Sequence, residues 1–192
     1  MDYVESVTFV TRDEKWVQKI GLGALAAFLS FLVVGGLALA GWAMEAYRRV
    51  IQGADEKLPG WEGWTAFLAD GLKFAGVTIA WYIPVAILGA IWDPLGVIAS
   101  IPVAFLIIGA FIILAQTGDF VRAINPVNSW NLLNPHLNQW IITAVIIWVA
   151  SFVASLVGSI ACGIGILVTT PWLCVATANL IGRTVIETGT EV

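Results

Sequence analysis

His136 is the only histidine in the chain, and it stands in a polar, uncharged stretch, residues 125–140, with five asparagines and two Asn-Pro pairs. A lone imidazole can act as an axial ligand to a metal or a chlorophyll-type pigment. A metal site normally recruits a second His, Cys or carboxylate, and none lies near His136 in sequence. The expectation is an interfacial, non-ligating His136, with no cofactor and no metal. Cys162 and Cys174 sit in apolar sequence without metal-ligand spacing and read as small packing residues. Glu45, Asp93, Asp119 and Arg122 fall at the ends of apolar runs, where Asp119 and Arg122 form an i,i+3 surface pair. No Gly-x-Ser-x-Gly, His-Glu-x-x-His or phosphate-cradling glycine loop occurs. No carboxylate lies mid-run, where an ionisable group would mark an ion or proton path. Thr169, Thr170, Thr177 and Asn179 are polar groups on the last apolar run; they suit interhelical hydrogen bonds or the lining of a path. These residues argue against an enzyme.

The elements that carry them are set by solvent. The 192 residues are 59% hydrophobic and 11% charged, with mean hydropathy +0.91. Soluble domains carry about 25% charge. Residues 20–44, 74–92, 94–118 and 123–182 contain no Asp, Glu, Lys or Arg. A helix crosses the hydrocarbon core in about 20 apolar residues. The fold expected is therefore all-α: a polytopic membrane bundle of about five transmembrane helices, two tight helical hairpins after a first span, plus two interfacial amphipathic helices. The spans read as 20–46, 74–92, 95–116, 139–161 and 165–182, in one transmembrane domain, 20–192. Residues 1–19 form an interfacial amphipathic segment. The second interfacial helix, 61–74, anchors through Trp61, Trp64 and Phe67, with Glu62, Asp70 and Lys73 on its other side. A net charge of −4, thinly spread, implies no nucleic-acid partner.

The run 20–44, preceded by Arg12, Lys15 and Lys19, imitates a signal peptide but is long for one. Gly35 and Gly36 would let it turn back, placing all nine positive residues on one side. Two halves of about 13 residues reach only about 20 Å each, too short to cross, so one span is expected. Six positive residues then face three, placing the long loops and the C-terminal end in the cytoplasm of a multi-pass cell-membrane protein.

Residues 125–140 read as a connection. Asn125 and Asn134 precede prolines and would cap helices, while Trp130, Leu132, Leu133, Leu137 and Trp140 face lipid. Ala150, Ala154, Gly158 and Cys162, with Ser151, Ser155 and Ser159 beside them, make small-residue rows for close helix packing. The partner is the fifth span or a helix of another protein. Pro84, Pro102 and Pro171 kink their spans. Residues 96–102 align with 165–171, each copy following a tight turn and ending in proline. In each, a hydroxyl at Ser100, or at Thr169 and Thr170, can satisfy backbone freed at Ile98 or Leu167.

The run from Gly41 through Glu45, Arg48, Arg49 and Gly53, then Leu58-Pro59-x-Trp61, Trp64, Phe67 and Asp70-Gly71-Leu72-Lys73, carries a resemblance, extended by residues 162–165, Pro171 and Gly182. It is similar to the archaeal and bacterial membrane proteins known as domain of unknown function 4013, over nearly the whole chain. The resemblance implies a multi-pass membrane protein and supplies no activity. The function expected is a non-enzymatic accessory or scaffold subunit of a larger membrane complex, with respiratory and photosynthetic electron-transfer complexes as hosts considered. A small-solute transporter or channel is the alternative. Its partners are the bilayer and other membrane subunits, met at the Gly158 side of the fourth span or at helix 61–74.

Overall fold

The computed structural model describes residues 9–29, 33–54, 57–160, 164–190 and 192. Among them every regular element is helical: α1 Trp16–Leu29, α2 Val34–Ile51, α3 Trp64–Ile91, α4 Asp93–Thr117, α5 Phe120–Ile124, α6 Pro126–Leu133, α7 Leu137–Ile160 and α8 Ile164–Thr188. Short 3-10 turns at Phe9–Arg12 and Asn134–His136 precede α1 and α7. The all-α membrane class holds. Four segments are long and apolar enough to cross: α3, α4, α7 with its lead-in through α6, and α8.

The span count changes, because the expected first span, 20–46, is two helices. α1 ends at Leu29 and α2 begins at Val34, after Val33 with φ 68° and just before Gly35 and Gly36; residues 30–32 lie outside the described ones. α1 has 14 residues and α2 has 18, about 21 and 27 Å at 1.5 Å per residue, against a hydrocarbon core of about 30 Å. Neither crosses. The base of the hairpin is closed, since Asp13 and Lys19 before and within α1 bond Leu58 beyond α2. The tip stops short, since Leu37, in the first turn of α2, meets Gly71 in the first third of α3. The expectation of one span rested on two halves of about 13 residues, whereas α2 alone has 18; a hairpin that enters and leaves by one face takes the place of that span.

α2 is the hub. Ten of its 18 residues are buried, and it packs against α1, α3, α4 and α8. Trp42, Met44 and Tyr47 are fully buried, the bulky filling that a helix surrounded by helices needs. Close approach depends on glycine: a methyl at Gly41 would overlap the Phe67 carbonyl, and one at Gly71 the Leu37 carbonyl.

The expected interfacial helix 61–74 is not separate from the second span. From Trp64 it is the first part of the 28-residue α3, since nothing between Trp64 and Pro84 interrupts the helix and Pro84 itself lies within it. The expected 1–19 segment is revised as well. Residues 1–8 lie outside the described ones; residues 16–19 already belong to α1, with Val10 buried and Trp16 edge-on to Trp172 of α8 at 5.8 Å.

Two hairpins, α3–α4 and α7–α8, repeat one design at an offset of 69 residues. Gly89 meets Gly96 before and after the first turn, where a methyl on Gly96 would come within 2.7 Å. Gly158 meets Ile166 across the second, with a corresponding clearance of 2.8 Å. Ser100 Oγ donates to Val97 O at 2.7 Å, and Thr169 Oγ1 approaches Ile166 O at 3.5 Å. The hydroxyls thus reach back three residues, to carbonyls one position before those the prolines free at Ile98 and Leu167. Pro102 and Pro171 lie inside α4 and α8. The turn at 161–163 lies outside the described residues.

Candidate functional site

The polar chemistry gathers at one end of the bundle. Asp13 is only 5% exposed. It accepts from Lys19 Nζ at 2.8 Å, Leu58 N at 2.9 Å and Lys15 N at 2.8 Å, while Lys19 Nζ also donates to Leu58 O at 2.7 Å. Burial alone would raise the Asp13 carboxyl. The Lys19 ammonium and the two backbone donors outweigh it and hold the group below its ordinary 3.8. Beneath this clasp Trp42 and Trp61 stack at 5.0 Å and 26°. Trp42 Nε1 donates to Pro59 O at 3.0 Å and Trp61 Nε1 to Lys19 O at 3.1 Å. Leu58-Pro59-x-Trp61 is therefore a strap: proline fixes its backbone, and the two indoles tie it to α1 and α2.

A second cluster joins α2, α3 and α4. Arg48 donates Nε to Ala115 O at 2.8 Å and Nη1 to Asp70 at 2.6 Å, with Glu45 at 3.9 Å. Gln116 Nε2 donates to Tyr47 Oη at 2.7 Å. Arg48 thus neutralises a carbonyl at the C-terminal end of α4, where the helix dipole is negative. Asp70, expected on the outer side of an interfacial helix, is its buried-side partner. A cavity of about 570 Å³ opens beside this cluster, between the ends of α2, α4 and α8. A larger one, about 670 Å³, opens beside the Asp13 clasp.

The other expected residues separate into three groups. Trp130 and Trp140 were expected to anchor at the interface together with Trp61, Trp64 and Phe67; Trp64 is 53% and Trp130 44% exposed, as an anchor should be, whereas Phe67 and Trp140 are buried and Trp61 stacks on Trp42. Trp140 and Leu133 face the bundle because the Asn134–His136 turn sets the entry of α7. Asn125 caps α6, accepting from Val127 N at 3.0 Å, but Asn134 makes no cap and lies in the 3-10 turn. Asp119 accepts from Val121 N and Arg122 N and so caps α5, where a surface ion pair with Arg122 was expected. His136 is half-buried in that 3-10 turn, and among the described residues no three His, Cys, Asp or Glu side chains converge on a metal position.

Of the small-residue rows, Gly158 abuts Ile166 of α8, and Ala150 and Ala154 line the α7–α8 groove. Ser151 and Ser159 bond carbonyls of their own helix at 2.7 Å, and Ser155 is exposed. Cys162 lies outside the described residues. Asn179 is buried and its amide has no partner among them; Thr143 and Thr184 join α7 to α8 through a buried 2.9 Å hydroxyl pair. The Asp13 clasp and the Arg48–Asp70 pair escaped the sequence reading. Their only signal was the polar punctuation of two neighbouring segments, which carries no pairing information.

α7 is the least embraced span. Among the described residues it packs extensively against α8 alone, and apolar grooves flank it. One, about 350 Å³, includes Pro102, Phe105, Ala144 and Trp148. The other, about 430 Å³, has Ala150, Ala154 and Ala176 among its walls.

Four helices long and apolar enough to cross, a buried central helix α2 and one polar end define an integral, multi-pass helical membrane protein. Residues 24–96 match the family described as Protein of unknown function (DUF4013), the family the sequence resembles. The match spans less than half of the chain, so the resemblance expected over 162–182 lies outside it. It covers the end of α1 from residue 24, the whole of α2, the strap, α3 and the start of α4. No curated protein and no solved structure matches the chain.

Proposed function

We propose that the protein is a non-enzymatic scaffold subunit of a larger membrane assembly, docking partner helices along α7. The observation that carries this reading is the pair of apolar grooves beside a helix held mainly by α8. Lipid supplies no hydrophobic drive for helix association, so docking needs small residues and open grooves. Ala144 in one groove and Ala150, Ala154 and Ala176 in the other supply them. The partner face differs from the one expected from sequence: the Gly158 side is taken by α8, and Phe67 with Trp61 is taken by the strap. The outward side chains Ile141, Val145, Trp148 and Phe152 replace them. Respiratory or photosynthetic complexes remain the hosts considered. The polar end, with all nine cations, is assigned to the cytoplasm by the positive-inside rule.

Gentle detergent extraction, native-size separation and photocrosslinking from Val145 and Phe152 test the reading. A second polypeptide crosslinked through both positions is expected. A monodisperse monomer or a pure homo-oligomer overturns it. The rival, a small-solute transporter, is favoured by one feature, the parallel repeat of proline-bearing hairpins. Solute flux in liposomes by the purified chain would promote it.

A further inference from the structure

The 670 Å³ cavity at the hairpin base is lined by charge from three separate segments. Five cations line it: Arg12 and Lys15 before α1, Lys19 within it, Arg49 of α2 and Lys57 of the strap. Three carboxylates share the wall. Asp13 is committed to Lys19, Glu62 folds over Gly60, and Glu14 is exposed. The lining itself keeps a formal excess of two positive charges, with Arg49 paired to Glu45 of its own helix at 3.3 Å. Asp55 and Glu56, beside Lys57 in sequence, lie outside the described residues.

Val17, Leu25 and Phe28 of α1 are 65%, 55% and 63% exposed, and their spacing of eight and three residues keeps them on one face of the helix. This apolar face begins two residues beyond Lys15 and puts the bilayer beside the basic cavity, so an anion reaching it from the membrane is the head of a lipid. We propose that this cavity binds the headgroup of an anionic phospholipid, its phosphate among Arg12, Lys15 and Lys57. Basic pockets at the cytoplasmic interface recognise lipid headgroups in this way.

The test uses the full chain in neutral detergent, with bound lipid counted by native mass spectrometry during titration. The probes are phosphatidylglycerol, phosphatidylcholine and inorganic phosphate. One phosphatidylglycerol per chain is expected, preferred over phosphatidylcholine and weakened by salt. Each removed cation weakens it about fivefold, so Lys15→Gln with Lys57→Gln costs about 25-fold, while Lys73→Gln, away from the cavity, leaves it unchanged. The melting temperature without lipid should match wild type in both variants, since neither the Lys15 nor the Lys57 side chain takes part in the clasp. Equal binding of the two lipids, undiminished binding by the double variant, or inorganic phosphate binding as tightly as phosphatidylglycerol would each overturn the proposal.

Discussion

Asp13 is a buried carboxylate with three donors, and its value to the fold lies in what it leaves satisfied. Removing it strands the Lys19 ammonium and the Leu58 N–H, and stranded buried partners cost more than the bond itself contributes. Asp13→Ala should therefore destabilise the protein by about 2 kcal/mol, read by unfolding in detergent against wild type. The folded carboxyl titrates below its unfolded value of 3.8. Its contribution is thus complete above about pH 5 and lost as pH falls through the folded value. The deficit of Asp13→Ala should hold from neutral pH to about 5 and shrink below 3.8; a deficit that persists unchanged in acid contradicts the assignment. At this scale the sequence was informative wherever a residue acts on its own helix. The Asn125 cap and the Glu45–Arg49 pair, at 3.3 Å, are short-range and legible. Arg48–Asp70 and Asp13–Leu58 join residues 22 and 45 apart, and only the folded chain brings them together.

Helix–helix contact in α1, α2 and α3 is governed by backbone approach. Alanine is normally the better helix former than glycine, by about 1 kcal/mol. That preference should reverse where a methyl meets a carbonyl. Gly41→Ala and Gly71→Ala should each cost about 1–3 kcal/mol as overpacking, whereas Gly21→Ala, with open space beside it, should be neutral or stabilising. Denaturant titration of the three variants decides, and a uniform response would remove the close-packing account. Apolar run length located α4 and α7 to within two residues, because the bilayer imposes length directly, and found the start of α8, which continues six residues past the expected end at 182. It misread α1 and α2, since a run of 25 uncharged residues looks the same whether it crosses once or turns at Val33. The aromatic residues misled for a related reason: Trp61, Phe67 and Trp140 have the composition of a membrane belt, but a tryptophan with a backbone acceptor nearby is equally suited to the core.

For the whole molecule, four crossings and one re-entrant hairpin place Arg12, Lys15, Lys19, Arg48, Arg49, Lys57, Lys73, Arg122 and Arg183 at the same end. Among the described residues only Asp93 carries formal charge at the other. This is a more complete asymmetry than the six-to-three split of a five-span chain, and it follows from the hairpin alone. The scaffold reading and the lipid site both depend on it, because each assigns the polar end to one aqueous face and leaves α7 to the bilayer. The direct measurement is side-specific labelling with a membrane-impermeant maleimide, in a background lacking Cys162 and Cys174. Single cysteines would replace Lys15, Lys57, Arg122, Thr188 and Asp93. The account predicts that positions 15, 57, 122 and 188 label from one face and position 93 from the other. Labelling of positions 15 and 57 from opposite faces would contradict it and restore a first span that crosses.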